Sequence, residues 1–267
     1  MNLAQSSWSE SAIFHLRHAW FNIKEQFSDV PATLASNALI PFFVWMLSKV
    51  WERFNAHQKN FTIEEIVIYI AVTELLFMTF VRLPSLNRAS GDFSIALARP
   101  RAWPAMSFSG LYGRSFGSRV FMILLLTLVL PLFGANIDSI FWAFARLFIL
   151  LPWLGVLQAL FALFFATAQL LWHQTNYFLL PFGKIFLVLG GVWGPIADFA
   201  PPWKDIILKL PPSDLFFQPA YFCVKGTFYN STSEEWFIRT AILAIALAFF
   251  NTIFFKMAKK RHQSFGG

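Results

Sequence analysis

Apolar runs of about twenty residues recur along the chain, each close to the length a helix needs to cross a hydrocarbon layer of about 30 Å. Six spans are predicted, at 32–51, 64–83, 116–134, 141–170, 178–197 and 236–255. The stretch 147–183 carries no Asp, Glu, Lys or Arg. As one helix it would measure about 55 Å, too long for one crossing, so it must turn. The polar cluster His173, Gln174, Thr175 and Asn176 is the place for that turn. Ahead of the first span, Ile13, Leu16, Trp20, Ile23 and Phe27 recur every three or four residues. They predict an amphipathic helix over 8–28 that lies in the membrane interface. A capping box of Ser7 and Glu10 would start this helix, and Pro31 would end it. In 194–229, Pro201, Pro202, Pro211, Pro212 and Pro219 interrupt the apolar rhythm. These prolines forbid a further continuous span and leave 204–210 as a short, partly inserted helix.

The chain is thus expected to be an all-α, polytopic membrane protein. Residues 1–31 form the interfacial helix and 32–267 the six-helix domain. Composition agrees: 57% of the 267 residues are hydrophobic and 13% charged, against about 25% charged in an ordinary soluble domain. The net charge of +7 reads as a bias toward the cytoplasmic face, not as a nucleic-acid footprint. Lys and Arg outside the spans number two before the first span, four in 84–115 and four in the tail, against five on the other side. That ratio puts both termini in the cytoplasm. The first residues lack the basic region, apolar core and cleavage site of a signal peptide, so the mature chain is expected to start near Met1.

Chemistry is sparse. Cys223 is the single cysteine, which excludes an intrachain disulfide. There is no G-x-x-x-x-G-K-[ST], H-E-x-x-H or G-x-S-x-G motif, and hence no phosphate loop, zinc helix or nucleophile elbow. His15 and His18 are expected to be solvated. Arg82, Arg119 and Lys184 are expected to snorkel toward one interface, and Arg146 and Arg239 toward the other. Glu74 is the one carboxylate well inside a predicted span and should point inward. It could take up a proton, contact a polar substrate or pair with a neighbouring helix. Asn251, deep in the last span, is expected to bond between helices.

Six Arg and one acidic residue lie from Arg82 to Arg119. Within this basic connection, residues 86–105 read LNRASGDFSIALARPRAWPA. Ser90 or Asp92 can cap a short helix that Pro100 ends. The order of Gly91 and Asp92, an apolar turn, then Leu97, Arg99 and Pro100 resembles the cytoplasmic loop of permeases in the ATP-binding-cassette type-2 exporter family. It is most like the six-span branch of about 260 residues. The resemblance implies a non-catalytic permease subunit in the cell's inner membrane, working as a dimer with an identical or homologous chain. It implies separate cytoplasmic ATPase subunits that bind ATP and Mg, with Ser90, Gly91, Asp92, Leu97, Arg99 and Pro100 forming the coupling helix they press. No cofactor is expected on this chain itself. The path would lie at the interface of the two permeases, lined by parts of the first, second and fifth spans, for an amphiphilic or lipid-like cargo. Trp103, Pro104 and Glu74 depart from the family pattern. Proton-coupled secondary transport through Glu74, with Arg146 or Lys184 as charge partner, is the rival reading.

Overall fold

The computed structural model describes residues 3–28, 30–54, 60–81, 103–171 and 176–264. Among them every regular element is helical. The main helices are α1 (Leu3–Ser28), α2 (Val30–Asn37), α3 (Leu39–Phe54), α4 (Ile63–Val81), α5 (Trp103–Val129), α6 (Ile137–Leu171), α7 (Asn176–Leu189), α8 (Trp203–Ile207), α9 (Gln218–Lys225) and α10 (Ser233–Ser264). Among the described residues four helical stretches are long and apolar enough to cross a membrane: Thr33–Arg53, Trp103–Phe133, Ile137–Ala168 and Ser233–Lys260. The α4 helix has 19 residues but carries Glu64, Glu65 and Glu74, and α7 has only 14 residues.

Polar contacts between distant segments mark one end of the bundle. Trp51 Nε1 donates to the Trp193 carbonyl, Asn60 to Asp198, Lys225 to Glu65, and Arg146 to the Cys223 carbonyl. At the other end Trp103 stacks on Phe255, beside a small cluster of Leu171 and Ala258. Helices α3, α5 and α7 therefore run toward the first end, and α4, α6 and α10 run back. Two capping boxes start returning helices: Thr62 exchanges bonds with Glu65 at 2.8 and 3.2 Å, and Thr232 with Glu235 at 3.0 and 3.1 Å. Each satisfies two backbone donors that a helix start leaves open. The box expected at Ser7 and Glu10 does not start α1, which is already helical at Leu3. Pro31 stands in the first turn of α2, where its missing N–H removes nothing.

Three boundaries differ from the hydropathy reading, one being the end of α10, which runs on to Ser264 past the predicted 255. The third helix begins at Trp103 and not at 116, because α1 packs along its Gly- and Ser-rich first half and supplies contacts that an apolar run does not register. The fifth ends at Leu189, short of 197. Gly190 and Gly191 follow, and Gly191 takes a φ of 70°, a conformation that favours glycine. Its carbonyl accepts the Tyr69 hydroxyl at 2.7 Å. One helix, α6, ends at Leu171 and the next, α7, starts at Asn176; His173, Gln174 and Thr175, where the turn is expected, lie outside the described residues.

The α1 helix runs parallel to α5: His18 bonds Ser109, Arg114 bonds Asn22, and Phe27 meets Phe121 edge to face. Backbones approach closely because a Cβ on Gly113 would stand 2.2 Å from the Ala19 carbonyl oxygen. The side facing α5 is the one with His18, Ala19 and Asn22, while Ile13, Leu16, Trp20 and Phe27 are exposed. The apolar stripe is therefore turned outward, where a membrane would meet it. His15 and His18 both bond Ser109 Oγ and are not simply solvated. Burial lowers the His18 pKa, with His15 and Arg114 acting the same way.

The segment after α7 is more than a proline-broken loop. A π-helical turn, Ser213–Phe217, runs into α9, and Leu215, Phe216, Phe217, Ala220 and Cys223 are fully buried against α4 and α6. The stretch is too short to be read as a span, yet it plugs one end of the core. Arg239 pairs with Asp214 at 2.8 Å, and Arg146 donates to the Cys223 and Val224 carbonyls. Both arginines face protein partners instead of snorkelling, since the plug leaves C-terminal carbonyls and a carboxylate to be satisfied there.

Candidate functional site

The α4 helix is enclosed nearly all round, with residues 66–77 buried throughout. Glu74 projects from it with 3% of its surface exposed, and its Oε2 is buried without a hydrogen-bond partner. It stands on the wall of a cavity of 1070 Å³ between α3, α4, the end of α7 and the segment that follows. The α3 helix contributes Phe43, Met46, Leu47, Val50 and Trp51; α4 adds Met78 and α7 adds Leu187. The mouth is made by Asn60, Trp193, Asp198 and Phe199.

Local geometry fixes this mouth. The Trp51 indole is held at 2.6 Å by the Trp193 carbonyl, and Asn60 Nδ2 lies 2.7 Å from Asp198 Oδ1. Asp198 Oδ2 is buried and has no hydrogen-bond partner. Burial raises the Asp198 pKa, with the Asn60 hydrogen bond and Lys204 pulling it down. Among the described residues, those lining the cavity include two carboxylates and no Lys, Arg or His. An apolar chamber with a few fixed polar groups suits a small amphiphile more than water or an inorganic ion.

Glu74 is the one predicted site residue that can be placed. Ser90, Gly91, Asp92, Leu97, Arg99 and Pro100 lie outside the described residues, as do Arg82, Arg88 and Arg101. The charge partners considered for Glu74 are elsewhere: Arg146 is committed to the Cys223 and Val224 carbonyls, and Lys184 is exposed on α7. Asn251 bonds between helices as expected, accepting from Thr167 at 3.2 Å and donating to the Leu160 carbonyl at 3.1 Å.

Arg119 overturns its expectation. It does not snorkel but is fully buried where α4, α5 and α6 meet. Its Nε donates to Thr79 at 3.3 Å, and its Nη2 to Ser115 at 2.6 Å and to Gln158 Oε1. Gln158 in turn donates to the Leu76 carbonyl. Gln158 interrupts an apolar run, and this was the readable signal for a polar junction inside the bundle; Arg119 stands just inside the edge of one. A planar guanidinium can serve several acceptors from one fixed fork, whereas an ammonium cannot. Arg119→Lys is therefore expected to destabilise the protein by about 3 kcal/mol, because a buried charge loses part of its hydrogen bonding. Arg119→Met should cost about 1 kcal/mol, since Thr79 keeps its bonds to the Leu75 and Leu76 carbonyls, Gln158 keeps its bond to the Leu76 carbonyl and no charge is left behind. Thermal unfolding of the two variants in one detergent reads the order; a lysine variant as stable as wild type would remove the fork from the argument.

No protein-family model matches the chain, and no curated protein matches it.

Proposed function

We propose that the chain is a six-span permease subunit of an ATP-binding-cassette exporter of the type-2 kind. It works as a dimer with an identical or homologous chain and is driven by ATPase subunits on a separate polypeptide. Both termini lie on the cytoplasmic side of the inner membrane. The observation that carries the reading is the position of the cavity. A path at the interface of two permeases, lined by parts of the first, second and fifth spans, is what the resemblance implies, and within one chain the 1070 Å³ chamber opens between α3, α4 and α7, the helices of those spans. The six alternating helices and the basic connection 82–102, which leads straight into α5, support it further.

On this reading ATP closes the partner subunits, and their movement reaches the permease through the coupling segment around Ser90, Gly91, Asp92, Leu97, Arg99 and Pro100. A force applied there meets α5 and the α1 helix packed against it, which move as one body. ATP supplies the differential affinity that shifts the equilibrium, and this chain supplies lever and path.

Single cysteines test the arrangement in membranes holding the whole complex. Cysteine at Asp92 or Ala96 is expected to cross-link to an ATPase subunit, and cysteine at Lys209 is not. Transport by the purified chain alone, as fast as with its ATPase partner, would refute the proposal. Proton-coupled transport is the second reading, favoured by the unpartnered Glu74 on the cavity wall. It requires movement driven by a pH gradient without nucleotide, abolished in Glu74→Gln.

A further inference from the structure

We propose that the chamber between α3, α4 and α7 binds lipophilic organic cations, with Glu74 as the counter-charge. This deepens the reading of the chamber as a pathway and rests on it, but not on what drives transport.

Three observations converge. The chamber is large, at 1070 Å³, at the upper end of the range for small-molecule sites. Its walls offer the rings of Phe43, Trp51, Trp193 and Phe199, which contribute dispersion contact and, for a cation, attraction to the ring face. Among the described residues its only charged lining groups are carboxylates.

Glu74 decides the sign of the ligand. A carboxylate nearly sealed from water, with an oxygen lacking any donor, is unfavourable unless something compensates it. Among the described residues no Lys or Arg lines the chamber to do so. A bound cation would supply the missing charge and leave its apolar substituents against α3. An anion of the same shape would meet Glu74 with nothing to neutralise it. Asp198 adds a second acceptor at the mouth, where Lys204 offsets part of its charge. Its contribution is accordingly smaller.

The test uses the purified full chain in nanodiscs, without ATPase subunits or nucleotide. Tetraphenylphosphonium and tetraphenylborate have nearly the same size and apolar surface and opposite charge. Binding of each is measured by equilibrium dialysis above that of protein-free nanodiscs. The phosphonium is expected to bind about tenfold or more tightly than the borate, because one charge contact in a shielded site is worth about that factor. Glu74→Gln should erase this preference by weakening phosphonium binding about tenfold, with borate binding no weaker. Asp198→Asn should weaken the phosphonium by about threefold. Leu47→Trp, which fills the chamber without touching a carboxylate, should reduce phosphonium binding and serves as the check should Glu74→Gln not fold.

Equal affinity for the two ions, a preference that survives Glu74→Gln, or binding indifferent to Leu47→Trp would overturn the inference. Loss of ATP dependence in transport would sink the exporter reading and leave this one standing.

Discussion

Gly113→Val is expected to release α1 from α5 and, on the proposed exporter reading, to abolish transport, while leaving the rest of the bundle assembled. A Cβ at this position would lie 2.2 Å from the Ala19 carbonyl oxygen and 2.9 Å from the Ala19 Cα. These are backbone atoms, and no side-chain rotamer can move them aside. The two helices must separate, which lengthens the bonds of Ser109 with His18 and of Arg114 with Asn22. Gly117 repeats the constraint one turn on, with its Cβ position 3.1 Å from the Ile23 Cα. Overpacking inside a protein typically costs about 1–3 kcal/mol, and a backbone clash belongs at or above the top of that range. A cysteine pair at Phe27 and Phe121, whose rings lie 6.0 Å apart, should cross-link readily in a Cys223→Ala background. The added Gly113→Val should cut that cross-linking about tenfold. Gly183→Ala is the control, because a Cβ there meets nothing within 4 Å; it should change stability by less than about 0.5 kcal/mol. Undiminished cross-linking in the valine variant would show that the seam does not hold α1.

The seam illustrates what the sequence could and could not tell. The succession Ser109, Gly110, Gly113 and Gly117 is a small-residue stripe of the kind that brings membrane helices together. Hydropathy gives such a stripe no weight. The same limitation hid which side of α1 faces protein: Ile13, Leu16 and Trp20 announce an amphipathic helix, but in a membrane both lipid and core are apolar, so the apolar face is not necessarily the buried one. What was legible followed from lengths and from isolated polar residues. The break between Leu171 and Asn176, the inward position of Glu74 and the interhelical bonds of Asn251 all follow from the expense of polar or overlong elements in lipid. Arg119 was misread because a position near a span end admits snorkelling equally well, and only the proximity of Thr79 and Gln158 turns it inward. The chamber was legible only as a set of spans. Its mouth depends on Asn60 meeting Asp198 and Trp51 meeting Trp193, contacts across 138 and 142 residues that no local pattern encodes.

Phe216→Ala is expected to produce the largest loss of stability of any single truncation in the plug, about 3–5 kcal/mol. The ring is fully buried and sits edge to face against Phe77 at 5.9 Å, Phe80 at 5.6 Å and Phe186 at 6.3 Å. It thereby ties the π-helical turn to α4 and α7 together. Lipid cannot fill the resulting hole, because α4 is shielded by its neighbours on all sides of this contact. Phe216→Leu keeps most of the volume and should cost about 1.5 kcal/mol or less. Denaturant titration in detergent compares the two, with Leu132→Ala as reference at an 80% exposed position, where the change should stay within about 0.5 kcal/mol. A local readout is available as well. Cys223 follows the turn on α9 and is buried, so it reports whether the plug opens before the bundle unfolds. Wild-type protein should react slowly with a membrane-impermeant maleimide, and Phe216→Ala should react about tenfold faster or more. Labelling at the wild-type rate, together with unchanged unfolding, would mean that the plug is held by its ion pair of Asp214 and Arg239 and not by the aromatic cluster. In that event Arg239→Leu, which removes the 2.8 Å contact, is the substitution that should expose the thiol.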